Sequence, residues 1–313
     1  MGKRFSFSFL GATAFCALWV FLGIILNTNG LENYGSATFV TAPLFAGIIS
    51  TVLLNYKVMY GLRKSFSTGI VTILISYALL LIFAYEGFLC LIMAAPIAIF
   101  VQLIGTTITW LIIRRIRRPK SLAIIAFILF PLHSFIEPEL PSDLETHTVS
   151  SELIVDAIPT QIWRSITGVN EYARPDNWMM RAGVVYPTRT EMLVNSEGQT
   201  VLNCTYSQGS TQLLIDTIRV NELMRFTVAK TPPPMKELSF HSEVHAPHLH
   251  GNFTLLYGQI ELIPIDKGRT KLIASSAYTH HIKPGGYWKL WSDFFFNQVH
   301  QQVLNHIKST TEQ

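Results

Sequence analysis

The residues best suited to chemistry in this sequence lie in one short histidine-rich segment, His241-Ser-Glu-Val-His245-Ala-Pro-His248-Leu-His250. In an extended chain His248 and His250 face the same side, and either could join Glu243 or His280 around zinc. The spacing matches no standard zinc pattern, and Pro and Gly in and after the segment indicate a loop, so we predict neither a metal ion nor another cofactor. Two interpretations remain open: the loop forms the rim of a ligand pocket, or its histidines face water and respond to acidity.

The elements that position such a loop follow from the pattern after residue 148. Short segments of alternating polarity are divided by Gly, Pro and Asn, which is typical of an antiparallel sheet. The predicted strands are 148–157, 189–194, 200–207, 211–220, 223–230, 252–264 and 270–283. A short helix with one apolar stripe is predicted after the first strand, capped by Thr160 and ended by Gly168.

The last predicted element is a long amphipathic helix, from about Tyr287 to Ser309. Its apolar side chains recur at three- and four-residue spacing and need a broad apolar partner. The order strand, short helix, about six strands, long helix predicts an α+β domain whose curved sheet wraps the final helix. Because such a sheet cannot close tightly on Trp and Phe side chains, we expect a cavity that could bind a small molecule.

The segment Val155-Asp-Ala-Ile-Pro-Thr-Gln-Ile-Trp resembles the opening strand and helix of the START/Bet-v-1-like superfamily, also called SRPBCC or polyketide cyclase-like. Four later stretches, beginning at Asn177, Thr231, His245 and Tyr287, resemble a membrane-anchored bacterial subgroup of it. The resemblance covers nearly all of residues 148–310. It implies a helix-grip fold with a hydrophobic ligand cavity, and it implies no particular reaction.

Several side chains are predicted to contact a ligand in this cavity. By the resemblance, Trp178 and Arg181 lie where short helices cover the cavity mouth, and Arg181 could hold a carboxylate or phosphate; a surface ion pair is the alternative. Trp288 and Trp291 share a face of the last helix, where they either pack in the core or line the pocket. Tyr278 could offer its hydroxyl to a ligand or pack as a cross-strand aromatic. Together with the histidine-rich loop, the predicted ligand-binding residues are Trp178, Arg181, His245, His248, His250, Tyr278, Trp288 and Trp291.

Catalysis has weaker support, because the sequence contains no Gly-x-Ser-x-Gly, no phosphate-cradling glycine loop and no paired Cys and His in a family context. A cyclase-like reaction needs only an acid and a base in the cavity, and Glu191, His245 and Tyr278 are candidates by residue type alone.

The first part of the chain differs sharply in composition from the second. The whole sequence is 49% hydrophobic and 14% charged, and five apolar runs fall at about 9–26, 37–54, 68–84, 87–113 and 121–136. A helix needs roughly 20 residues to cross a bilayer, and none of these runs contains Asp, Glu, Lys or Arg. We therefore predict an all-α transmembrane domain over residues 1–137, a linker over 138–147 and the helix-grip domain over 148–310.

Loop charge predicts the orientation of the five helices. The basic residues at 3–4, 57–64 and 114–120 alternate with the acids Glu32, Glu86, Glu137 and Glu139. Because Lys and Arg are retained on the cytoplasmic side, the domain after residue 136 is expected outside the cytoplasm. If the short fifth run does not cross, this conclusion reverses.

The predicted protein is therefore a multi-pass protein of a bacterial inner membrane, in contact with membrane lipids. The surplus of basic residues lies in short loops between apolar runs, so nucleic acid is not an expected partner. Three functions remain open: a binding protein for a hydrophobic molecule such as a lipid or isoprenoid, a cyclase or hydrase using His and Glu in the same cavity, and a structural or signalling module without ligand.

Overall fold

The computed structural model describes residues 2–31, 33–116, 120–139, 145–228, 233–236 and 252–312. Contacts divide the chain into two compact units. The first contains the helices up to residue 139 together with the short segment 281–285. The second contains the sheet and the three helices that accompany it.

The first unit is built from five long helices. They are α1 (Gly2–Ile25), α2 (Ala42–Leu54), α3 (Leu62–Ile82), α4 (Phe88–Arg115) and α5 (Lys120–Ile136), with π-helical turns at Leu26–Gly30 and Ala37–Thr41 and a 3₁₀ turn at Glu137–Glu139. By length and composition alone, five helical stretches of the described residues are apolar enough to cross a membrane. All five predicted apolar runs therefore coincide with helices.

Helices α2 and α4 approach each other closely through two glycines. A Cβ atom built on Gly47 would lie 2.3 Å from the carbonyl oxygen of Gln102, and one on Gly105 would lie 2.3 Å from that of Leu44. Each glycine thus faces the other helix's backbone, as small residues do where membrane helices pack. Beside this contact Gln102 donates to Thr106 in its own helix at 2.8 Å, and Thr106 donates to the Gly47 carbonyl at 3.5 Å.

The second unit is a curled antiparallel half-barrel of eight strands. They are β1 (His147–Val155), β2 (Asn170–Glu171), β3 (Pro187–Val194), β4 (Thr200–Tyr206), β5 (Gly209–Arg219), β6 (Leu223–Val228), β7 (Phe253–Pro264) and β8 (Thr270–His280). Their order across the sheet is β1-β8-β7-β6-β5-β4-β3-β2. The short helix α6 (Pro159–Thr167) follows β1, and the short helix α7 (Trp178–Arg181) follows β2.

The long helix α8 (Gly285–Thr311) lies inside the curl of the sheet. On one flank its His300 is hydrogen-bonded to β1 and β8. On the other flank Gln302 donates to the carbonyls of Ala173 and Pro187, beside the opposite edge. A helix held between both edges of an antiparallel half-barrel is the helix-grip arrangement, which confirms the predicted fold of this unit.

The predicted strands agree with the observed ones to within one or two residues except at two places, and residues 229–230 of the strand predicted over 223–230 lie outside the described residues. The two-residue strand β2 was not predicted, because a pair of residues shows no alternation of polarity. Strand β8 ends at His280 and not at Lys283, since the backbone N–H of Lys283 donates to the carbonyl of Tyr34 within the first unit.

Candidate functional site

Part of the inner face of the sheet is packed against α6 and α8. There α8 contributes Leu304 and Ile307, each at most 1% exposed, to a core with α6 and the sheet. This core also contains Ile162, Trp163, Met224, Leu262 and Leu272. Five further apolar side chains pack against it and stay partly buried: Leu153, Met192, Ile215, Ile260 and Val303.

A second cluster on the inner face adjoins this core through Met192 and Ile215, and α8 covers it less completely. Leu202, Cys204 and Leu213 are buried there, but the side chains packed against them remain only partly buried: Met192, Tyr206, Ile215, Phe226 and Val228. Among the described residues, α8 contributes no buried side chain to this second cluster. We call these eight residues the open-end lining; it is a concave apolar surface of the kind that binds small molecules.

The first turns of α8 are aromatic. Trp291 stacks on Phe295 at 6.3 Å between ring centroids, and Phe294 meets Phe295 edge-on at 5.3 Å. All three rings are partly buried, whereas Trp288 is buried and meets Tyr287 edge-on at 5.4 Å. Of the two predicted tryptophans, Trp288 therefore packs in the interior and Trp291 keeps part of its surface accessible.

Tyr278 on β8 is fully buried under α8. Its hydroxyl donates to the Asp293 carboxylate at 2.7 Å, and its ring stacks on Phe296 at 5.0 Å and on Phe253 at 5.4 Å. Burial and the Asp293 charge raise the pKa of Tyr278, so its hydroxyl stays protonated. Asp293 also binds Lys289 one turn earlier. The Tyr278 hydroxyl is thus already bonded within the protein.

His300 lies at the centre of a polar chain between α8 and the sheet. Its Nδ1 is 3.1 Å from the Ser151 hydroxyl of β1 and its Nε2 is 2.9 Å from the Ser276 hydroxyl of β8. Ser151 in turn donates to the side-chain amide oxygen of Asn297 at 3.1 Å. Burial lowers the pKa of His300 to about 4, because the charged imidazolium would lose its hydration.

A row of neutral hydroxyl and thiol groups lies on the inner face of β3 and β4 and next to β2. Tyr172 and Thr190 are hydrogen-bonded through their hydroxyls at 2.9 Å, and the Tyr206 hydroxyl bonds the Cys204 thiol. Burial raises the pKa of Tyr172 to about 12 and that of Cys204 to about 11, and it raises the pKa of Tyr206 as well. At neutral pH all of these groups are therefore uncharged hydrogen-bonding partners.

Glu191, a candidate acid or base, is directed away from this inner face. Along β3 the helix-facing positions are Thr190 and Met192, so Glu191 shares the outer face with Arg189. The Arg189 guanidinium lies 2.9 Å from the Glu191 carboxylate, and that hydrogen bond lowers the carboxyl's pKa. The structure does not bring Glu191 and Tyr278 together.

Helix α7 carries the two residues predicted at the cavity mouth. The Asn177 side chain caps it by accepting from the Met179 N–H at 2.9 Å, and Met179 and Met180 are buried. Trp178 is 56% exposed and Arg181 is also exposed. Both therefore present their side chains to solvent.

The three loop histidines, His245, His248 and His250, lie outside the described residues. Within the described part of the chain, no group of three or more His, Cys, Asp and Glu side chains could hold a metal ion. The functions of the loop predicted from the sequence stay predictions.

A broad depression of about 700 Å³ opens elsewhere on this unit, between α6, β2 and the end of α8. Its lining mixes polar and charged residues such as Arg164, Asn170 and His306 with Val169, and it is open to solvent.

The sequence did not reveal the residues of the polar chain. His300, Ser151 and Ser276 are single polar residues in otherwise regular strand and helix patterns, and nothing local connects them. Asp293 and Lys289, spaced i and i+4 on a predicted helix, were a detectable ion pair, but their contact with Tyr278 depends on the register between α8 and β8.

Comparisons with known proteins add likenesses at low identity. No protein-family model matches the chain, and no curated protein matches it. Among solved structures, norcoclaurine synthase from Thalictrum flavum is 15% identical over 54% of this chain and 88% of its own, with a TM-score of 0.33. XoxI from Bacillus cereus is 11% identical over 52% and 94%, with a TM-score of 0.34. A protein of unknown function from Staphylococcus aureus is 10% identical over 55% and 99%, with a TM-score of 0.31. The helix-grip assignment rests on the strand order and on α8, and no activity follows from these likenesses.

Proposed function

We propose that this chain is a membrane-anchored binding protein that holds a hydrophobic small molecule between the inner face of its sheet and α8. The observation that carries the proposal is the difference between two clusters on that face. The core with α6 includes Leu304 and Ile307 of α8, whereas the open-end lining includes no described residue of α8 and keeps five apolar or aromatic side chains only partly buried.

Partly buried apolar side chains on a concave surface favour the binding of an apolar ligand. Each fully buried side chain of this size gains roughly 1.5–3 kcal/mol relative to an exposed one. A ligand that completes the burial of Met192, Ile215, Phe226 and Val228 recovers part of this energy. The resemblance of residues 148–310 to the START/Bet-v-1-like superfamily agrees with such a cavity.

The anchor part of the proposal rests on the helices of the first unit. Five stretches are apolar enough to cross a bilayer, and they are 18 to 28 residues long. Loop charge favours an N-terminus inside and a ligand-binding domain outside the cytoplasm. The membrane that holds the first unit would supply hydrophobic molecules such as lipids or isoprenoids.

The cyclase or hydrase alternative has less support. Glu191 lies in an ion pair on the outer face, and the Tyr278 hydroxyl is bonded to Asp293. No pair of the proposed acids and bases therefore faces one another among the described residues.

The test compares two tryptophan variants of the full-length protein. Ile215→Trp fills the open-end lining, whereas Leu214→Trp adds the same side chain at the adjacent, outward-facing position, which is 37% exposed. Each protein is purified from membranes in the same detergent, denatured and extracted, and the small molecules are identified by mass spectrometry. We expect a hydrophobic molecule that accompanies the wild type and Leu214→Trp but is lost from Ile215→Trp. The same extract from all three proteins would refute the proposal.

A further inference from the structure

The inward-facing positions of the sheet share one property that bears on the ligand: they carry no fixed charge. The strands place a set of aliphatic, aromatic, hydroxyl, thiol and imidazole side chains on this face. These are Leu153, Ser151 and His147 on β1; Thr190 and Met192 on β3; Leu202, Cys204 and Tyr206 on β4; Leu213 and Ile215 on β5; Met224, Phe226 and Val228 on β6; Ile260 and Leu262 on β7; and Leu272, Ala274, Ser276, Tyr278 and His280 on β8. Within the described strands, none of these positions is Asp, Glu, Lys or Arg.

The charged residues of the same strands face outward and pair with one another. Arg189 binds Glu191 within β3, and Lys271 of β8 binds Glu152 of β1 at 2.9 Å. Arg225 of β6 lies over the Tyr257 ring at 3.9 Å and 3.6 Å from Asp216. The alternation of the strands therefore sorts charge to the outer face along the whole width of the sheet.

The charges that α8 brings to the inner face cancel. Asp293, which accepts from Tyr278, is bound by Lys289 on the next turn of the same helix. Asp293 is thus already compensated by a cation and a hydroxyl. Neither charge is left to balance an ionised ligand.

We propose that the ligand is uncharged: an apolar molecule whose polar part is limited to a hydroxyl, carbonyl or ether oxygen. This inference rests on the proposed function and specifies the class of ligand. An ionised carboxylate or phosphate buried against the open-end lining would have no counter-charge, and burying an unpaired charge is strongly unfavourable. A hydroxyl or carbonyl would instead meet the neutral row of Tyr172, Thr190, Cys204 and Tyr206, whose three hydroxyl groups each both donate and accept and whose thiol does so weakly.

The experiment uses the full-length protein in nanodiscs and the neutral fluorescent probe Nile red, with empty nanodiscs as background. Nile red is displaced by two matched pairs, hexadecan-1-ol against hexadecanoate and farnesol against farnesoate, at about pH 9, where carboxylic acids are ionised. Each pair shares its carbon skeleton, so shape is controlled. We expect each alcohol to displace the probe at concentrations at least about tenfold lower than its acid, a difference of about 1.4 kcal/mol.

A charge placed in the lining should reverse this preference. In Met192→Lys the new ammonium group faces the inner side, and the acids should then displace Nile red better than the alcohols. The control Leu214→Lys carries the same charge outward and should keep the preference of the wild type. Ile215→Lys provides a second inward variant if Met192→Lys does not fold.

The outcomes separate this inference from the proposed function. If Nile red binds and is displaced equally well by acids and alcohols, the ligand class is wrong while the binding function stands. If Nile red does not bind above the empty-disc background, both proposals fail.

Discussion

The imidazole of His300 on α8 and the hydroxyl of Ser276 on β8 are hydrogen-bonded at 2.9 Å beneath the helix. Because the Ser151 hydroxyl donates to Asn297, its oxygen is left to accept from His300 Nδ1–H. Burial keeps this imidazole neutral at pH 7, so Ser276 donates to Nε2 and the ring proton lies on Nδ1. This one side chain joins α8 to both β1 and β8.

We predict that this junction weakens in acid. The folded-state pKa of His300 is lowered to about 4 from 6.5, so the unfolded chain binds the proton first as the pH falls. The contribution of neutral His300 to the free energy of unfolding is complete above about pH 6.5. It is lost progressively between about pH 6.5 and pH 4, by up to about 3 kcal/mol.

Hydrogen exchange followed by mass spectrometry on peptides from β8 and α8 measures this effect in the full-length protein. Wild type and His300→Gln are compared with each other at about pH 5 and about pH 7.5, on either side of the ordinary His pKa. We expect the protection of the wild type, relative to the variant, to fall at the lower pH. Equal changes in both proteins would show that other groups cause the acid sensitivity.

A second prediction concerns Tyr278. Removing its hydroxyl in Tyr278→Phe keeps the aromatic stack with Phe253 and Phe296 but takes one donor from Asp293. We expect a loss of about 1.5 kcal/mol, typical of a hydrogen bond to a charged group, measured as a lower thermal midpoint of unfolding. Ligand binding should change little, because the hydroxyl is already bonded to Asp293.

The matched change on the outer face is Glu191→Gln, which removes an exposed ion pair. Neither the thermal midpoint nor ligand binding should change measurably, because exposed pairs contribute little. Loss of ligand binding in Glu191→Gln with folding intact would contradict the placement of this residue and revive the catalytic alternative.

Features that depend on residues close in sequence could be predicted, whereas features that depend on contacts between residues far apart in sequence could not. Periodicity of 2 and 3.6 residues is a local property, so the long strands, α6 and α8 were predicted to within a few residues. Glu191 and Tyr278 were both candidates by type, but the face each occupies depends on strand register and on where α8 lies. His300 and Ser276 are 24 residues apart, but whether His300 also meets Ser151 depends on a contact across 149 residues.

A third prediction tests the close contact of α2 and α4. In Gly47→Ala the new methyl group would overlap the Gln102 carbonyl, and since this is backbone the helices must separate. We expect destabilisation of about 1–3 kcal/mol, as for other overpacked sites. Thermal unfolding in detergent measures it.

The control for that contact is Gly11→Ala on α1, where a Cβ atom would meet nothing within 4 Å. It should leave stability unchanged or raise it by up to about 1 kcal/mol, because alanine favours helix more than glycine. If both variants lost the same stability, the loss would come from a property other than the α2–α4 contact.

The last prediction concerns the side of the membrane on which the sheet unit lies. Reporter fusions after Lys64, after Lys120 and at Asp143 each use alkaline phosphatase, active only outside the cytoplasm, and a fluorescent protein, fluorescent only inside. The basic residues near 57–64 and 114–120 should hold the first two fusions inside, and the five spans then place Asp143 outside. Deleting residues 121–136 removes the fifth crossing and leaves the other four in place. It should therefore move the Asp143 reporters to the cytoplasmic side without changing the other two fusions. Fluorescence at Asp143 in the intact chain would mean that α5 does not cross, and the ligand-binding unit would then face the cytoplasm.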